Sequence, residues 1–160
     1  MRRLRVLASV VLLTACTPSP SQADAAVELP ANAHVLSGAA AELVFHQCSR
    51  NGPEFATADF EPDVGSIRDL EAKLPAALSA AEGQVDYDGR RVTVELGSYY
   101  REYAAYMSGG RRKIYGNFAP LKSQMGKGPI VICDGGPAFF GVEYDVERRE
   151  ITAIAINGEA

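Results

Sequence analysis

Ser98-Tyr99-Tyr100-Arg101-Glu102-Tyr103-Ala104-Ala105-Tyr106-Met107 is a run of ten residues with four tyrosines and neither glycine nor proline. Aromatic residues suit a pleated, half-buried surface, so the run reads as one long strand. It joins through Ser108-Gly109-Gly110 to a second strand over Arg112 to Phe118. Alternation puts Tyr99, Arg101 and Tyr103 on one face, and Tyr100, Glu102 and Tyr106 on the other. Tyrosine and arginine dominate binding hot spots, which makes Arg101 and Tyr103 candidate anchors for a protein partner. Arg111 and Arg112 at the hairpin would then steer an acidic partner. The competing reading packs one set of rings over a helix, with the hydroxyls at the rim.

The same period continues toward the C-terminus. Ile130 to Cys133, Phe139 to Asp145 and Ile151 to Asn157 are expected to complete a meander, with Val146 to Arg149 as its last turn. Upstream, Val85 to Leu96 alternates about Asp88-Gly89, a hairpin signal. Earlier still, Ile67, Leu70, Leu74, Leu78 and Ala81 recur at three- and four-residue steps, the face of an amphipathic helix. Ser66 is its expected cap, and Pro75 predicts a kink or break between Lys73 and Ala76. Glu42 to Cys48 reads as a first strand. One amphipathic helix packed on an antiparallel meander sheet is an α+β domain, and a sheet curved around that helix would be cystatin-like in outline.

The N-terminus carries an address. Arg2, Arg3 and Arg5 precede ten largely apolar residues, Val6 to Ala15, and then Cys16. A charged start, a short apolar run and small residues at its end make a secretory signal. Ten helical residues rise only about 15 Å, too little to cross a bilayer. Leu13-Thr14-Ala15-Cys16 resembles the lipobox of bacterial lipoproteins. That resemblance implies a signal over residues 1–15, a lipid on Cys16, a flexible tether over 16–38 and a single domain over 39–160. It also implies contact with the membrane through the lipid, in the outer membrane facing the periplasm, since Thr17 stands where an inner-membrane retention Asp often sits. Ser21-Gln22-Ala23 keeps open an ordinary cleavage and a soluble secreted product.

Charge and cysteine count narrow the function. The chain holds 16 basic and 20 acidic residues, and loss of the three signal arginines leaves 13 against 20, a net of −7. That sign argues against nucleic acid, which needs a basic face. The residues from Gly89 to Lys127 nonetheless carry a net of +6 between acidic flanks, either a surface for an acidic partner or internal charge balancing. With Cys16 processed, Cys48 and Cys133 remain as an even pair, most simply a disulfide in an oxidising compartment. It would close a loop of 86 residues, for which the chain-entropy argument suggests roughly 4 kcal/mol.

Catalytic signatures are weak. His46 and Cys48 on one strand face, with Cys133-Asp134, could be drawn as a thiol nucleophile set, but a disulfide would consume the thiols. Asp59-Phe60-Glu61-Pro62-Asp63 alternates carboxylates, yet Val64 and Leu70 stand where a calcium loop needs Gly and Glu. No metal or cofactor is expected. Cys133-Asp134-Gly135-Gly136-Pro137 reads either as a tight strand connection or as a recognition loop. Together with Phe60-Glu61-Pro62, Ile114-Tyr115-Gly116-Asn117, Phe139-Phe140-Gly141-Val142-Glu143-Tyr144-Asp145 and Asn157-Gly158, it resembles a family of proteobacterial envelope lipoproteins and secreted proteins. The resemblance implies an envelope location and no particular activity. Three functions are therefore expected to compete. The first is non-catalytic binding of an envelope protein, as an inhibitor or immunity protein against an envelope-targeted enzyme such as a cell-wall hydrolase. The second is a structural or assembly lipoprotein, and the third a hydrolase using His46, Asp134 or Glu143.

Overall fold

The computed structural model describes residues 28–54, 56–57, 60–81, 94–121 and 128–158. The elements in chain order are β1 (Ala33–Leu36), α1 (Gly38–Phe45), α2 (Val64–Ala80), β2 (Tyr99–Ser108), β3 (Arg111–Pro120), β4 (Phe140–Asp145) and β5 (Glu150–Ile156). They build an α+β domain around a five-stranded mixed sheet of order β1-β2-β3-β4-β5. Cys16, the signal, residues 85–93 of the expected hairpin and Asp59 of the carboxylate run lie outside the described residues.

The tyrosine-rich run is the centre of the sheet. β2 pairs antiparallel with β3 from Tyr99↔Pro120 to Ser108↔Arg111, closed by Gly109 and Gly110, both at positive φ. A two-residue loop in that conformation matches the natural twist of a hairpin. β3–β4 and β4–β5 continue antiparallel, with a bulge between Glu143 and Tyr144. The other edge departs from the meander. β1 runs parallel to β2, aligning His34 with Glu102, so part of the expected tether is sheet.

Each face of the sheet carries one helix. Ile67, Leu70, Leu74 and Leu78 of α2 bury against Tyr103, Ile114, Phe118, Phe140 and Val142. Phe118 and Phe140 stack with centroids 4.7 Å apart. The cap lies three residues before Ser66: it is Asp63, accepting the Ser66 N–H at 2.8 Å and its hydroxyl at 2.7 Å. α2 also passes through Pro75 without a break. Leu74 and Leu78 are buried on either side of it, and packing of that face outweighs one lost backbone bond.

Two expected strands are not strands. Glu42 to Cys48 falls mostly in α1, because Ala39, Ala40 and Ala41 favour helix and Ala41, Val44 and Phe45 are buried at helical spacing against Ala104, Tyr106 and Tyr115. Ile130 to Cys133 belongs to no strand of the sheet, and the chain bends at Cys133. Its backbone bonds go to side chains.

Candidate functional site

The α1 side of the sheet holds a buried polar cluster. Arg50 follows α1, Glu102 and Asn117 are cross-strand partners on β2 and β3, and Asn157 follows β5. All four are at most 8% exposed. Arg50 donates through Nε to the Tyr115 hydroxyl at 3.1 Å and through its two terminal nitrogens to Oδ1 of Asn157 and Oδ1 of Asn117. Asn117 Nδ2 in turn donates to Glu102 Oε2 at 2.8 Å. An amide is suited to this bridge, since it accepts from the cation with one atom and donates to the anion with the other. Burial pushes the Glu102 carboxyl above its ordinary pKa, opposed by hydrogen bonds from the Ile130 N–H and Asn117 and by the charge of His34. Burial likewise raises the Tyr115 hydroxyl, against the Arg50 guanidinium.

Tyr115 reaches its position only because β4 has a glycine beneath it. A Cβ on Gly141 would lie 2.1 Å from the Tyr115 hydroxyl oxygen. Any side chain there would push the ring away from Arg50.

Glu102, Asn117 and Asn157, with Gln47 beside them, also hold one loop. The Ile130 N–H donates to Glu102 at 3.0 Å, and the Ile130 carbonyl accepts from Asn117 Nδ2 at 2.8 Å and Gln47 Nε2 at 3.1 Å. The Ile132 N–H donates to Gln47 Oε1 at 3.3 Å. Asn157 Nδ2 donates to the carbonyls of Ile132 at 3.0 Å and Asp134 at 2.8 Å. A disulfide joins Cys133 to Cys48, with Cα atoms 5.1 Å apart. Even-numbered residues of the loop are thus fastened to the protein, while Val131 is 41% exposed and Cys133 is also exposed.

The expected anchors lie elsewhere. Arg101 and Tyr103 are buried beneath α2 and are not available to a partner. Arg101 pairs with Glu71 at 2.7 Å and donates to the Ala31 carbonyl; the Tyr103 hydroxyl donates to the same Glu71 oxygen at 2.5 Å. Their face covers the main core, which is the competing reading of the strand. Arg111 and Arg112 are at the surface, but each faces a carboxylate, Asp145 at 3.1 Å and Glu147 at 2.8 Å. That region balances charge within the fold.

The candidate catalytic groups are dispersed among separate contacts. His46 ends α1 and is exposed. Glu143 accepts from the Tyr106 hydroxyl at 2.6 Å and pairs with Lys113 at 3.3 Å. Asp134 sits in the loop at positive φ, and Cys48 and Cys133 are oxidised. Among the described residues no hydrogen bond or ion pair joins His46, Asp134 and Glu143, and no group of three acidic, His or Cys side chains could hold a metal. His34, expected in the tether, stacks on Tyr100 with centroids 4.7 Å apart.

Sequence reading placed the Cys48–Cys133 bond and the loop but missed Arg50, Gln47 and the bridging role of Asn117. The available signal was a polar residue, Asn117, within the otherwise apolar stretch from Ile114 to Ala119; Arg50 gave none, lying among turn residues. No family model matches this chain, and no curated protein or solved structure matches it.

Proposed function

We propose that this protein is a lipid-anchored component of the bacterial envelope that acts by non-catalytic binding, as an inhibitor or immunity protein, and that the loop from Gly128 to Gly136 is its recognition surface. One observation carries the reading: the loop's backbone is fastened from inside at Ile130, Ile132 and Asp134 and stapled at Cys133, while the Val131 side chain faces solvent. A loop ordered before binding loses little conformational freedom on binding, which favours affinity. The tethering lipid on Cys16, membership of the envelope lipoprotein family, an outer-membrane site facing the periplasm and a cystatin-like outline belong to the same proposal. The lipid rests on Leu13-Thr14-Ala15-Cys16 and the basic start, the outer-membrane site on Thr17, the family on the motifs from Phe60 to Gly158, and the outline on a helix packed against the sheet.

Two experiments test it. A clickable fatty acid should label the wild type and not Cys16→Ala; equal absence of label in both overturns the anchor. A photo-crosslinking residue at position 131, in cells, should capture an envelope protein that the same residue at Arg68, exposed on α2, does not. A structural or assembly lipoprotein would leave the loop dispensable, so identical capture from both positions favours that second reading.

A further inference from the structure

The loop's hydrogen bonds alternate, and the alternation names a partner. In an extended chain the N–H and C=O of one residue point to one side and those of the next residue to the other. Ile130 and Ile132 turn theirs inward, to Glu102, Asn117, Gln47 and Asn157. The N–H and C=O of Val131 between them therefore face outward, and among the described residues nothing bonds to either. With the N–H and C=O of both Ile130 and Ile132 bonded on one side, the segment follows the extended pattern, held on its inner edge by side chains and open on its outer edge. A single branched apolar side chain stands at its middle.

An open strand edge with one projecting apolar side chain is what an endopeptidase cleft accepts. Such a cleft aligns an extended polypeptide by backbone pairing and takes one side chain into a specificity pocket. From this we infer that residues 130–132 occupy the substrate cleft of an endopeptidase whose pocket takes a small branched apolar side chain, with Val131 as the occupant. The inference rests on the binding reading above and adds the class of enzyme and the residue that enters it. Two features fit an inhibitor rather than a substrate. The inner bonds hold the backbone from Ile130 to Asp134, which opposes separation of the ends after a cut. The Cys48–Cys133 disulfide would also keep both pieces of a chain cut between Val131 and Ile132 covalently joined.

The test uses the full-length protein in detergent against two serine endopeptidases, one of elastase-type and one of trypsin-type specificity. Wild type should inhibit the first and not the second. Val131→Arg should lose about 100-fold against the elastase-type enzyme, a hot-spot-sized effect, and gain inhibition of the trypsin-type enzyme. Val131 is exposed, and unchanged melting of the variant confirms that the fold is intact. Absence of inhibition of either enzyme by either protein overturns the inference. So does rapid cleavage at Val131–Ile132, followed on reducing and non-reducing gels, with no lasting inhibition. Crosslinking from position 131 to an envelope protein, without inhibition of either endopeptidase, would overturn this inference while leaving the broader binding reading in place; failure of both overturns both.

Discussion

On the α2 side of the sheet, aliphatic and aromatic side chains fill most of the space between helix and strands, with Arg101 buried among them. Glu71 meets Arg101 and Tyr103 there, and Asp69 meets Tyr144, Lys73 and Arg149. On the α1 side the apolar cluster is small, and beside it a guanidinium, a carboxylate and two amides are buried together. Burial of apolar surface on the first side contributes stability without regard to direction. A buried polar network stabilises only if every member is satisfied, and it then fixes geometry. The first face holds the fold together, while the second holds one loop in one shape.

The sharpest break of this contrast is on the core side. Phe118→Ala removes a fully buried ring stacked on Phe140 and should cost about 3–5 kcal/mol in denaturant melts, opening the whole molecule at once. On the other side, reduction or Cys48→Ser with Cys133→Ser should cost roughly 2–4 kcal/mol. Its first effect should be faster hydrogen exchange at Ile130 and Ile132, with the α2 face still protected. Asn117→Ala leaves Arg50 and Glu102 without their bridge, and each orphaned buried group costs about 1–3 kcal/mol. Loosening of Ile130 should again precede global unfolding. Arg112→Ala, by contrast, should change stability by less than about 1 kcal/mol, because its partner Glu147 is as solvated as it is.

Acid separates the faces by sign. Hydrogen bonds from Arg149, Lys73 and Tyr144 hold the Asp69 carboxyl well below the usual range. A carboxyl more acidic in the folded state stabilises above its unfolded value, about pH 4, and loses that contribution as pH falls further. Glu102 is shifted upward by burial, so its ionisation opposes folding, and protonation relieves that cost. Asp69→Asn should therefore be less stable than wild type at neutral pH and converge with it in acid, as thermal melts between pH 7 and 2 would record.

Much of this contrast was legible in residues 98–118, and less of it elsewhere. β2, its Gly109-Gly110 turn, β3, β4 and β5 follow from period-two alternation and turn residues. The apolar stripe of α2 follows from its leucines. α1 did not follow, because Gly38 to Phe45 is an eight-residue run, apolar apart from Glu42, whose alanines carry helix propensity but little periodic contrast. β1 did not follow either: four residues paired parallel to β2 are specified by a neighbour more than sixty positions away. The strand expected at Ile130 to Cys133 is not part of the sheet; its backbone is held by side chains instead. No local pattern announces that Gln47, Asn117 and Asn157 will take its backbone bonds. Arg101 and Tyr103 misled for a related reason, since residue type alone does not say which face of a strand a helix will cover.

Amide hydrogen exchange at residue resolution tests the alternating fastening of the loop most directly. The Ile130 and Ile132 N–H groups should exchange slowly, while those of Val131 and Cys133 should exchange at rates near those of an open chain. Equal rates along residues 130–133, fast or slow, would contradict an inner edge held by the buried cluster and an outer edge left free.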